Sequence, residues 1–142
     1  VRLFLDACAL IYRFEGAAPF RNAAIETLAQ LCAQQPSVEL MVSRLSVLEC
    51  RVKPLREGDA VLLKRYDDFF ASVHIVELSA EVVDAATQLR ARHGLKTPEA
   101  LQAASAFVAS DRPLFVTADA GFAKVTGLDV RLITPSQPLP SP

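Results

Sequence analysis

Apolar residues gather along this chain in short runs, separated by longer stretches in which they recur every three or four positions. The runs fall at residues 3–5, 40–43, 75–78, 114–117 and 130–133. Runs of this length suit strands buried on both faces. Their alternation with helical segments predicts an α/β fold, an α/β/α sandwich with a mainly parallel central sheet of four to five strands. Between the first two runs, residues 20–35 place Ala24, Leu28, Leu31 and Cys32 on one helical face, and Pro36 ends that helix. Residues 45–55 and 59–72 read as two more helices, broken by Pro54 and Gly58. Ser79 caps a helix that runs to residue 92 and stops at Gly94, and Thr97 caps a buried helix with Pro98 in its first position. Residues 1–134 are expected to form one domain, followed at 135–142 by a proline-rich extended or disordered tail.

Composition narrows what such a fold can do. With 142 residues, 51% of them hydrophobic, the chain can bury a core without disulfides and is too apolar for disorder. A net charge of −1 excludes nucleic-acid or membrane binding by bulk positive charge, so a phosphate-rich substrate has to be handled locally. Cys8, Cys32 and Cys50 show neither a CxxC nor a zinc spacing and read as small buried hydrophobes in a reducing compartment. Asp6 interrupts the first apolar run too early for a signal-peptide core, and residues 100–109 are too short to span a bilayer. A cytoplasmic protein is expected.

The chemistry lies in the placement of four acids. Asp6 and Asp119 follow strand runs and so sit at the carboxyl ends of parallel strands, the edge where open α/β sheets bind ligands. Glu49 lies within an apolar helical run and Glu99 in the first turn of the most apolar helix. Each has a purely structural explanation. Asp6 and Asp119 can be helix N-caps, Ser46-Val-Leu-Glu49 matches a capping box, and Glu99 suits a helix dipole. Together they define a cluster that a doubly wound fold can bring to one edge. Converging carboxylates need a cation or raised pKa values, and oxygen-only ligands suit Mg²⁺ or Mn²⁺.

Four runs carry a resemblance: Phe4-Leu-Asp6-Ala-Cys-Ala-Leu-Ile-Tyr12, Ser43-Arg-Leu-Ser-Val-Leu-Glu49-Cys-Arg51, Lys96-Thr-Pro-Glu99-Ala-Leu-Gln-Ala-Ala104 and Val116-Thr-Ala-Asp119-Ala-Gly-Phe122. In order and spacing they resemble the motifs of PIN-domain ribonucleases, and in particular the VapC-type toxins of bacterial toxin–antitoxin pairs. The resemblance implies an endoribonuclease that hydrolyses RNA phosphodiesters with water activated by Mg²⁺ or Mn²⁺. It also implies a homodimer and a cognate VapB-like antitoxin whose C-terminal segment enters the acidic cleft. Carried over by position, Asp6, Glu49, Glu99 and Asp119 are the catalytic set. Asp6 and Glu99 anchor the metal with Asp119 as a further ligand, while Glu49 positions a water or second ion. Two positions depart from the pattern. Glu99 stands where aspartate is usual, and Cys8 replaces an Asn or Ser, removing a hydrogen bond behind the site and leaving Thr117 as its polar support.

Between residues 44 and 65 bases outnumber acids, and Arg44, Arg51, Lys53 and Arg56 either hold the RNA backbone or form a solvated helix face, with Arg51 alternatively paired to an acid of the site. On the helix at 59–72, Leu63 and Phe70 either dock a second copy or antitoxin, or belong to the core. His74 and His93 are not assigned to catalysis. A dehydrogenase is excluded because no glycine-rich turn follows the first strand, and a P-loop is absent. The alternatives are a PIN-like protein that binds RNA or antitoxin without cutting, and a receiver-like phosphoacceptor module.

Overall fold

Five strands, β1 (Arg2–Leu5), β2 (Glu39–Ser43), β3 (His74–Val76), β4 (Leu114–Thr117) and β5 (Asp129–Leu132), form one wholly parallel sheet in the spatial order β3-β2-β1-β4-β5. The structure, a computed structural model, describes residues 1–135; the expected tail, apart from Pro135, lies outside the described residues. In register, Leu3 pairs with Leu40 and Leu114, and Leu5 with Val42 and Val116. Six helices cover the sheet: α1 (Ala7–Glu15), α2 (Ala18–Gln34), α3 (Arg44–Glu57), α4 (Ala60–Ser72), α5 (Ala80–His93) and α6 (Thr97–Ala109).

Because side chains alternate across a strand, β1 feeds two cores. Leu3 and Leu5 join Leu10, Val42, Tyr66 and Phe70 on one face. Phe4 joins Met41, Val82, Ala100, Ala103 and Phe115 on the other, stacked on Phe115 with ring centroids 5.4 Å apart. Burial on both faces is why the strands read as continuous apolar runs. From β1 the chain builds outward through β2 to β3, then returns to lay β4 against the other side of β1. The β1/β4 boundary is therefore the point where strand order reverses, and its carboxyl edge is where such sheets open a crevice.

Several boundaries differ from the sequence expectation for local reasons. Pro54 does not break α3, which continues to Gly58 in the left-handed region (φ 68°). The proline ring is fully buried, and that packing offsets the backbone hydrogen bond it removes. Ser43, not Ser46, caps α3, its Oγ accepting from Leu45 N at 3.1 Å; Ser46 is buried inside the helix and forms no capping box. Lys96 occupies the N-cap of α6 without a side-chain bond, so Thr97 is helical and instead accepts from Arg90. Cys50 is buried, but Cys8 is half-buried and Cys32 exposed. Phe70 belongs to the core, and Leu63 is half-buried. Exposed apolar surface is found instead on α3, at Leu48, Val52 and Leu55, and at Val61. Among the described residues, no helix is long and apolar enough to cross a membrane.

Candidate active site

Asp6, the residue after β1, is 4% exposed and caps α1. Its Oδ1 accepts from Ala9 N at 2.9 Å and its Oδ2 from Thr117 Oγ1 at 2.6 Å, with Cys8 Sγ 3.5 Å from the same oxygen. Thr117, at the end of β4, also accepts from Asp119 N at 3.0 Å. One hydroxyl thus joins the acids that follow two adjacent strands. Asp119 is exposed and opens the 3-10 turn Ala120–Lys124, its Oδ1 accepting from Gly121 N at 2.8 Å. A Cβ at residue 121 would stand 3.0 Å from that oxygen, so the glycine leaves the carboxylate its position.

Cys8 does not remove the hydrogen bonding behind the site. Its sulfur accepts from Ala118 N at 3.2 Å and lies 3.6 Å from Thr117 Oγ1. Burial, then the charge of Asp6, pushes its thiol up to about 11, so it serves as an uncharged thiol at neutral pH.

Glu49 on α3 and Glu99 on α6, both half-buried, complete the set. With Asp6 and Asp119 they line one cavity of about 120 Å³, together with Ala7, Cys8, Pro98, Gln102 and Phe122. Burial raises the Asp6 carboxyl above its ordinary range against the bonds from Thr117, Ala9 and Cys8, and the Asp119 charge adds to the rise. Glu49 is also raised, first by burial, partly offset by the Gln102 amide, then by the charges of Asp6 and Glu99. Glu49 Oε1, Glu99 Oε2 and Gln102 Oε1 are buried without a hydrogen-bond partner. Such oxygens need a donor or a cation, and a hard divalent ion fits this all-oxygen set. As the side chains stand, no three His, Cys, Asp or Glu among the described residues form a ready-made chelate. Like-charged oxygens spread apart, and Asp6 is taken up by its own donors.

The four basic residues singled out in the sequence do not line this cavity. Arg44 makes a bidentate ion pair with Glu77, and Lys53 Nζ lies 3.2 Å from Glu15. Arg51 Nε is 3.0 Å from Asp67, not an acid of the site, although its N–H is not aimed at that oxygen. Arg56 is exposed. Two cations, Lys96 and Lys124, line an adjoining hollow of about 210 Å³ with Glu99, Asp119 and Gly121. Sequence reasoning passed over them, and also Gln102 and Ser46. The available signal was the recurrence of Glu99, Gln102 and Ser105 every third position on a helix that is otherwise largely apolar.

A family model described as PIN domain matches residues 3–128. Among solved structures, a toxin–antitoxin complex from Klebsiella pneumoniae aligns over 94% of this chain and 99% of its own, with TM-score 0.72 and 21% identity. VapBC2 of Rickettsia felis, bound to a promoter DNA fragment, aligns over 93% and 98%, with TM-score 0.73 and 16% identity. Mycobacterium tuberculosis VapC20, described as a sarcin–ricin loop cleaving toxin, aligns over 91% and 98%, with TM-score 0.69 and 16% identity. At these identities the likeness shows a shared fold. Comparison with curated protein sequences found no match.

Proposed function

The chain belongs to the PIN domain family, and from that premise we propose that it is a divalent-metal-dependent endoribonuclease, the toxin of a toxin–antitoxin pair. The observation that carries the reading is that acids from four separate elements line one cavity at the carboxyl edge of the sheet, with buried oxygens there left without donors. Asp6, Glu99 and Asp119 are the residues to hold Mg²⁺ or Mn²⁺, and Glu49 orients a water or a further ion. When bound, the cation supplies Lewis-acid polarisation of a phosphodiester and neutralises its developing charge.

The chain's own residues do the rest. Donors from Ala9 and Thr117 hold Asp6 in one orientation before any substrate arrives. Lys96 and Lys124, which make no ion pair among the described residues, are placed to hold RNA phosphates beside the acids. Arg44 and Arg51 contribute only after leaving carboxylate partners, a small cost for exposed pairs, whereas Lys53 is held by Glu15, whose side chain is largely buried. Because water is the nucleophile and the RNA 2′-hydroxyl is not needed, products carry 5′-phosphate and 3′-hydroxyl ends.

The structural relatives include toxin–antitoxin complexes, which supports a cognate antitoxin; an antitoxin segment that blocks the acidic cavity, a homodimeric toxin and a cytoplasmic setting belong to the same proposal. The test is cleavage of structured RNA by purified protein with Mn²⁺. Activity should vanish in EDTA and fall at least about 100-fold in Asp119→Asn, whose exposed side chain can change without unfolding the chain. Cyclic phosphate ends, or cleavage indifferent to EDTA, would overturn the reading. One observation favours a protein that binds RNA or antitoxin without cutting: Glu99 stands where the resemblance places aspartate. RNA binding without cleavage in the same assay would select that alternative.

A further inference from the structure

Polar residues recur every third position on the facing stretches of α3 and α6 and pair in opposite chain directions. The hydroxyls of Ser43 and Ser105 are 3.1 Å apart. One turn along, Ser46 Oγ accepts from Gln102 Nε2 at 2.9 Å. One turn further, Glu49 and Glu99 line the same cavity, close enough for the charge of Glu99 to act on Glu49. Ser43, Ser46 and Ser105 are wholly buried and Gln102 is 4% exposed. These pairs form a ladder of polar rungs between two helices, and its open end is the acidic site.

This arrangement is expensive. Gln102 stands on a helix lined with buried alanines, and its amide is half satisfied, because its nitrogen donates to Ser46 and lies toward Glu49 while Oε1 is left without a partner. A leucine of similar size would carry no such penalty. The rung nevertheless does something a leucine cannot: it ties the turn of α3 that precedes Glu49 to the turn of α6 that follows Glu99. Two like-charged carboxylates on separate helices otherwise relax apart.

We propose that Gln102 is a positioning residue of the acidic site, which through Ser46 locks α3 against α6 so that Glu49 and Glu99 face a shared divalent cation. This inference rests on the metal-dependent reading above. It assigns Gln102 a role paid for in stability, so metal affinity and thermal stability should move in opposite directions on substitution.

The experiment is Mn²⁺ binding by calorimetry on the intact protein, with melting temperature and RNA cleavage measured in parallel. Gln102→Leu should weaken Mn²⁺ binding about tenfold while its melting temperature stays level or rises. Ser46→Ala removes the other half of the rung without inserting bulk, and should weaken Mn²⁺ binding similarly. The double variant should be no weaker than either single one. Affinity within twofold of wild type in both single variants, or fully additive losses, would overturn the proposal, as would a wild type that binds no Mn²⁺. A wild type that binds Mn²⁺ in this Gln102-dependent way but cuts no RNA would refute the nuclease reading and leave the positioning role standing.

Discussion

Asp6 is the most constrained residue of the site, because its carboxylate is buried yet fully engaged by Ala9 N and Thr117 Oγ1. Thr117→Val keeps the shape and removes the hydroxyl that serves both Asp6 and Asp119. It should lower stability by about 1–3 kcal/mol in urea denaturation, as expected when buried groups lose a partner, and reduce cleavage by roughly 10–100-fold. The raised Asp6 and Glu49 carboxyls carry a second consequence. A carboxyl whose pKa is higher folded than unfolded binds its proton more tightly in the folded state. Its stabilising contribution is complete below the ordinary carboxylate range, near pH 4, and is lost as pH rises through the raised values. In metal-free buffer the melting temperature should therefore fall as pH climbs above about 4, and Asp6→Asn should flatten that fall. Mn²⁺ should restore stability at neutral pH if these oxygens bind it. The strand-end positions of Asp6 and Asp119 were legible in the sequence because Asp6 directly follows an apolar run and Asp119 comes two residues after one. Gln102 was not, since the recurrence of Glu99, Gln102 and Ser105 marks a polar stripe but not the partners it faces.

At the level of elements, the parallel sheet was readable from strands buried on both sides, and so were the ends of α5 at Ser79 and Gly94, whereas those of α3 and α6 were not. Their ends depend on contacts that periodicity does not carry. Pro54 reads as a breaker until the packing of its ring is known, and Ser46 reads as a cap until Ser43 is seen taking that place. The true stop of α3 is Gly58, which adopts φ 68° and has open space where a side chain would go. Gly58→Ala should therefore cost about 1 kcal/mol from backbone conformation alone, with cleavage unchanged, as measured by chemical denaturation beside the RNA assay. An effect on activity would mean that the turn between α3 and α4 communicates with the acids.

For the whole molecule, the largest departure from the sequence expectation concerns its outer surface. An amphipathic helix shows which residues are apolar but not which of its two neighbours claims them. Tyr66 and Phe70 of α4 pack inward, while α3 presents Leu48, Val52 and Leu55 to solvent between the Arg44–Glu77 and Arg51–Asp67 pairs. A rim carrying both signs can complement itself across a two-fold axis. If a second copy covers this face, Leu48→Glu should convert the dimer to monomer in light scattering without lowering the melting temperature of the monomer. Topology has its own outcome. The central strand β1 precedes β4 in the chain, and it must wait for β4 before Thr117 and Asp119 can join Asp6. A growing polypeptide still on the ribosome thus carries Asp6, Glu49 and Glu99 before it has Asp119, the acid across the strand boundary from Asp6. The cavity that gathers all four acids is therefore completed only by the long-range pairing of β1 with β4, so closing the sheet and assembling the site are one event.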